Sequence, residues 1–288
     1  MSLKELDHAS PAEGRPGAAE LISLFQRHPV ISAIVIFIID ALIAVLASFV
    51  VNTFASSMLK TESGPGLADF LVLCVTSFVT IAFVTSLGWW RVVGCNPPTE
   101  WRSLWLLLFP VVVILLPLVA GIRAIDAGTL LFLLVGYLLT GFYEELLFRG
   151  VIFRVLRPKG IWIVVLVSSV LFGLAHSTNL FLRFNGMPLL VAAQVFGAFT
   201  HGIGMAALRV RTNTIWPLML LHAFGDLFLH LGRLPVPLMD AAIDTLLLVY
   251  GLILIFTMRR EKSEERTEIS PTEGRSGAII VSDTGGQG

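Results

Sequence analysis

From Val30 to Met258 the chain is a succession of apolar runs, each close to the ~20 residues that an α-helix needs to cross the hydrocarbon core of a bilayer. This pattern constrains the fold more than any motif does. In hydrocarbon every backbone N–H and C=O must be satisfied within the protein, so runs of this length become helices. Composition agrees: 56% of the 288 residues are hydrophobic and 14% charged, against about 25% charged in a soluble domain. The expected fold is all-α, a polytopic membrane helical bundle of about eight transmembrane helices. They are expected at Val30–Val51, Leu67–Leu87, Leu104–Ala120, Thr129–Val155, Ile161–Leu180, Pro188–Leu208, Thr214–Leu231 and Leu238–Met258.

Three regions follow. Residues 1–28 form a cytoplasmic N-terminal segment. Its polar stretch up to Gly17, with Pro11, Gly14 and Pro16, reads as disordered, and Ala18–Gln26 as a short helix on the membrane surface. Residues 29–258 form the transmembrane domain, with a motif core at 129–231. Residues 259–288, charged and then rich in Gly, Ser and Thr, read as a disordered cytoplasmic tail. No cleavable signal peptide is expected, because the first apolar run follows a long polar stretch.

Basic residues set the orientation. One side collects Lys4, Arg15, Arg27, Arg91, Arg102, Arg154, Arg157, Lys159, Arg209, Arg211 and the run from Arg259 onwards. The other has Lys60, Arg123, Arg183 and Arg233. By the positive-inside rule both termini are cytoplasmic, which also requires an even number of spans. A formal net charge of zero gives no reason to expect a nucleic-acid partner; the lipid bilayer is the certain one. Cys74 and Cys95 make neither a disulfide framework nor a metal motif. Trp89, Trp90 and Trp101, with Trp162 or Trp216, read as interfacial anchors. Gly197, Gly202, Gly204, Ala206 and Ala207 read as a surface for close helix packing. No internal repeat of the transporter kind is present.

Against this apolar background a few polar side chains stand out. Glu144 and Glu145 are adjacent inside the fourth span, where a carboxylate costs roughly 2.5–3.5 kcal/mol on insertion scales. Arg149 lies one turn after Glu145, in the favourable acid-before-base order, and can neutralise it. Glu144 points elsewhere, since neighbours on a helix are about 100° apart. His176 lies as far beyond the Lys159–Gly160 turn as Glu144 lies before it, ~24 Å along each helix. The two are therefore level on antiparallel neighbours, with Phe172 one turn before His176. His222 and Asp226 share one face of the seventh span. His222 is ~14 Å from the cytoplasmic end, shallower than the Glu144–His176 level. His230 reads as interfacial, His201 as an uncertain member of span six, and Asp40 as a lone acid with a packing role. His8 and His28 lie outside the spans.

Glutamate, two histidines and aspartate converging in a bundle can hydrolyse: the glutamate takes a proton from water and histidine donors hold the oxyanion. The same four, Glu144, His176, His222 and Asp226, are also the candidate ligands of a zinc ion, although no His-Glu-x-x-His spacing is present. Acid–histidine chains also relay protons in transporters.

The order Glu144-Glu145-x-x-x-Arg149, Phe172-x-x-x-His176, His222-x-x-x-Asp226, on separate spans, resembles the three-motif signature of the CPBP intramembrane protease family. This is the CAAX prenyl endopeptidase and bacteriocin-processing group, also called ABI. The resemblance covers about Thr129 to Leu231. It implies an intramembrane endopeptidase with a cytosol-accessible cavity, cutting a peptide or membrane-protein substrate that can be C-terminally lipidated. Glu144 would activate water, His176 would hold it, and His222 with Asp226 would support the oxyanion. Glu145, Arg149 and Phe172 would be supporting residues. Asp226 stands where the prenyl-protease branch has asparagine, which leans away from a prenylated substrate and towards a prokaryotic plasma membrane. The alternative is a non-catalytic family member acting as a membrane scaffold or bacteriocin-immunity factor.

Overall fold

The structure is a computed structural model that describes residues 17–55, 66–98, 101–182 and 187–269. It is helical throughout, with one isolated antiparallel bridge, Ile122 with Gly232. The elements are α1 (Ala18–Arg27), α2 (Pro29–Ala55), α3 (Leu67–Leu87), α4 (Leu108–Ile114), α5 (Ala127–Glu145), α6 (Phe153–Leu156), α7 (Ile161–Ala175), α8 (Asn179–Leu182), α9 (Pro188–Thr212), α10 (Trp216–Leu231) and α11 (Val236–Ile269). Among the described residues seven helical stretches are long and apolar enough to cross a membrane, and the shorter apolar α10 supplies the eighth. The protein is a multi-pass membrane protein.

The spans fall where the apolar runs place them, and their ends follow local chemistry. Gly88, at φ 63°, closes α3 in the left-handed conformation that glycine adopts without strain. Asp126 caps α5 by accepting from the Thr129 amide at 2.9 Å. Pro188 and Pro217 sit in the first turns of α9 and α10, where a missing N–H costs nothing. The third span departs from a plain helix: Trp101–Leu107 and Leu116–Leu118 are 3₁₀ turns flanking the short α4. At the other end α11 continues to Ile269, past the Arg259 boundary assigned to a disordered tail. Its Glu, Lys and Arg residues are good helix formers and extend an existing helix without a new nucleus. The expected disorder before Gly17 and beyond Ile269 lies outside the described residues.

Glycines let the central helices approach, as the α9 pattern predicts. A Cβ on Gly202 would lie 3.1 Å from Ser169 of α7, and one on Gly204 would lie 2.7 Å from the Leu247 carbonyl of α11. Between α5 and α10, a Cβ on Gly141 would sit 2.5 Å from the Met219 carbonyl. With lipid tails as apolar as leucine, this close van der Waals contact holds a membrane bundle together. Around it, α2 turns Ile31, Leu42, Leu46 and Phe54 outward.

The arginine-rich end is closed by polar contacts. Arg209 is buried; its Nε donates to the Arg149 carbonyl at 3.1 Å and its Nη2 to the Val93 carbonyl at 3.2 Å. Gly94, at φ +97°, leaves the space that this guanidinium fills. Trp89 is not the interfacial anchor that its sequence position suggests. The chain folds back after Gly88 and buries the indole edge-on against Phe25 and Phe83. Trp101, Trp162 and Trp216 remain exposed.

Candidate active site

The fourth span changes character at the acidic pair. The α-helix runs to Glu145, and Leu146–Ile152 then form wider π turns, all of them buried. Such turns re-aim side chains and recur at functional sites. Glu145 and Arg149 still meet, Oε1 to Nη1 at 3.2 Å, at 0% and 1% exposure. The Arg149 guanidinium lies 4.1 Å above the Phe172 ring, so the second motif's phenylalanine covers the first motif's ion pair. Phe148 meets the same ring edge-on at 5.1 Å.

His222 lies across this pair. Its Nδ1 is 3.0 Å from Glu145 Oε1; a carboxylate can only accept, so Nδ1–H is the donor. Its Nε2 is therefore aimed the other way, 3.5 Å from Glu144 Oε2 and 3.7 Å from Asp226 Oδ2. A bare imidazole lone pair between two carboxylates would be repelled, so a proton lies between Nε2 and one of them. The depth mismatch expected for His222 does not occur. The residue that precedes its helix is already inside the bundle: Ile215 is fully buried and its N–H donates to the Gly94 carbonyl.

His176 terminates α7 rather than lying within it. Its Nδ1 lies 3.0 Å from the Phe172 carbonyl, which can only accept, so Nδ1 carries the proton and Nε2 is left available. The Phe172 ring stands edge-on to both His176, at 5.2 Å, and His222, at 6.0 Å. All four motif side chains, Glu144, His176, His222 and Asp226, line one cavity of about 590 Å³. The direct partner of Glu144 is His222; His176 shares the cavity with it.

The structure adds residues whose role the sequence left open or did not suggest. His201 has its ring 5.6 Å from His222, and its Nδ1 lies 3.2 Å from Asp244 of α11. Asp244 is buried, and its carboxylate occupies the space beside Gly197 that a Cβ would take. The one available signal was a pair of acids, Asp240 and Asp244, one turn apart in the last apolar run. Asp40 is not a lone acid: it accepts from the Tyr143 hydroxyl at 2.6 Å on the cavity wall. His230 also lines the cavity, with its ring 6.2 Å from Tyr137.

Among the described residues no group of three or more His, Cys, Asp or Glu is disposed to hold a metal ion. Both His222 nitrogens face carboxylates, and one His176 nitrogen is taken by a carbonyl. The lining of the cavity comes from the ends of α3, α10 and α11 that are farthest from the arginine-rich loops. Towards those loops the bundle is filled by Leu146, Val151, Ile152, Ile215 and Met219.

In comparison with known proteins, residues 126–228 match the family model described as type II CAAX prenyl endopeptidase Rce1-like. That segment begins at the Asp126 cap and ends two residues after Asp226, so it contains all three motifs. No curated protein and no solved structure matches the chain.

Proposed function

We propose, from the match of residues 126–228 to the Rce1-like type II CAAX prenyl endopeptidase family model, that this protein is an intramembrane endopeptidase acting through glutamate-activated water. The observation that carries the reading is the pairing of Glu144 with His222 Nε2, at 3.5 Å, at the wall of a cavity large enough for a peptide segment.

Glu144 takes a proton from a water molecule as its oxygen attacks the scissile carbonyl. The free Nε2 of His176 holds that water. The Nε2–H of His222 donates to the oxyanion of the tetrahedral intermediate. Glu145 fixes the other His222 nitrogen, so the donor is aimed before substrate arrives. Arg149 and Phe172 keep Glu145 ionised and in place. The proton held by Glu144 then passes to the departing amine as the C–N bond breaks. Asp226, 3.7 Å from Nε2, keeps a proton on that nitrogen, a role for which the asparagine of the prenyl-protease branch is not needed. The substrate is a peptide or membrane protein, and the protein resides in a prokaryotic plasma membrane.

The test is hydrolysis of peptide substrates by purified protein in lipid. Glu144→Gln is expected to reduce turnover by about 10²–10⁴-fold, and His222→Ala by about 10²–10³-fold, with the fold retained. Unchanged hydrolysis in both variants would refute the assignment. A scaffold or immunity role predicts the opposite in cells, full biological function with Glu144→Gln.

A further inference from the structure

One stripe of α9 lines the catalytic cavity: Gln194, Ala198 and His201, whose spacing puts them on one face of the helix. Each polar member is held from another element. Asn179 Nδ2 of α8 donates to Gln194 Oε1 at 2.8 Å, and His201 Nδ1 lies 3.2 Å from Asp244 of α11. Ala198 puts only a methyl group between them. The stripe ends at the catalytic centre, because the His201 ring is 5.6 Å from His222. From Gln194 to His201 is ~10 Å along the helix, about the length of three residues of extended chain. At its far end the two carboxamides satisfy only part of each other. Asn179 Oδ1 can still accept and Gln194 Nε2 can still donate, and among the described residues neither atom has a partner. Both side chains are half-buried in the cavity wall.

Resting on the endopeptidase reading, we infer that Asn179 and Gln194 form a subsite for the substrate main chain, about three residues from the bond that is cut. In an extended chain the N–H and C=O of one residue point to the same side, the edge that a neighbouring strand would pair. The carboxamide pair offers the complement of that edge: Asn179 Oδ1 accepts from the N–H, and Gln194 Nε2 donates to the carbonyl of the same residue. Recognition there runs through the backbone, so it holds an extended segment in register with Glu144 and His222 whatever side chain the residue carries.

A backbone scan of the substrate tests this. The probes are a peptide that the purified protein cleaves in lipid and a set of its depsipeptide analogues. Each analogue has one main-chain amide near the cut, on either side of it, replaced by an ester, which has no N–H and a poorer acceptor carbonyl. With the wild-type protein, one replacement at about three residues from the cut should lower kcat/KM about fivefold. Gln194→Met and Asn179→Leu keep the side-chain volume and remove the polar groups. Each should lower kcat/KM for the parent peptide about fivefold. The same ester replacement should then cost little more, because the bond that it removes is already gone. Additive losses at every position overturn the inference. Loss of all hydrolysis in both variants also overturns it, since the pair would then be a structural tie between α8 and α9. A wild-type protein that cleaves no peptide refutes the endopeptidase reading itself, and the subsite falls with it.

Discussion

Removing Arg149 should destabilise the protein more than any other single change at the site, and removing its partner as well should restore most of the loss. Arg149 and Glu145 are buried at 1% and 0% exposure, 3.2 Å apart. Replacing Arg149 with Gln leaves the Glu145 carboxylate inside the bundle with only the His222 imidazole beside it. Breaking a buried pair in this way costs about 3–5 kcal/mol. Loss of the guanidinium from the Phe172 face, at 4.1 Å, adds about 2 kcal/mol for a desolvated contact. At about 2–4 °C per kcal/mol for a large chain, the midpoint of thermal unfolding in detergent should fall by at least about 10 °C. Glu145→Gln with Arg149→Gln leaves no unpaired charge, so the double variant should recover most of the ion-pair portion while the Phe172 portion stays lost. The assay is a double-mutant cycle of unfolding midpoints in one detergent. Additive losses, with the double variant as unstable as the sum of the singles, would refute the view that the pair neutralises itself.

Gly204→Ala should force α9 and α11 apart, because the new Cβ meets the Leu247 carbonyl at 2.7 Å; about 1–3 kcal/mol is expected to be lost, read as a lower unfolding midpoint. Tyr143→Phe removes the 2.6 Å bond to Asp40 and leaves a half-buried carboxyl without that donor, a loss of about 1–3 kcal/mol, while Glu144 and His222 keep their geometry and turnover changes less than in His222→Ala. The hydroxyl of Thr129, and then its amide, hold Asp126 below the ordinary carboxylate value. Because the folded value is the depressed one, the cap's contribution is complete above the unfolded value and disappears as pH falls through the folded one. Unfolding midpoints should therefore decline across that acid window, and Asp126→Asn, which keeps a capping oxygen, should flatten the decline.

Much of this protein is legible in its sequence. Each apolar run had to become a helix because hydrocarbon offers the backbone no other partner. The Glu145–Arg149 pair was readable for an equally local reason, since residues one turn apart on a helix meet whatever surrounds them. The glycines of α9 announced close packing but not its partners, which turned out to be Ser169 and Leu247. Depth counted from the loops misplaced His222, because that count assumes every helix begins at the membrane surface, and α10 begins at a buried Ile215.

Contacts across helices belong to the tertiary structure alone. That His222 bridges both glutamates, that Asp244 engages His201, and that Asp40 receives the Tyr143 hydroxyl depend on the rotation of one helix against another. Glycines such as Gly141, Gly202 and Gly204 let those helices approach closely enough for the contacts to form. Which end of the bundle holds the cavity is likewise a matter of packing. Leu146, Ile152, Ile215 and Met219 fill the bundle towards the arginine-rich loops, and the cavity is lined from the opposite ends of α3, α10 and α11.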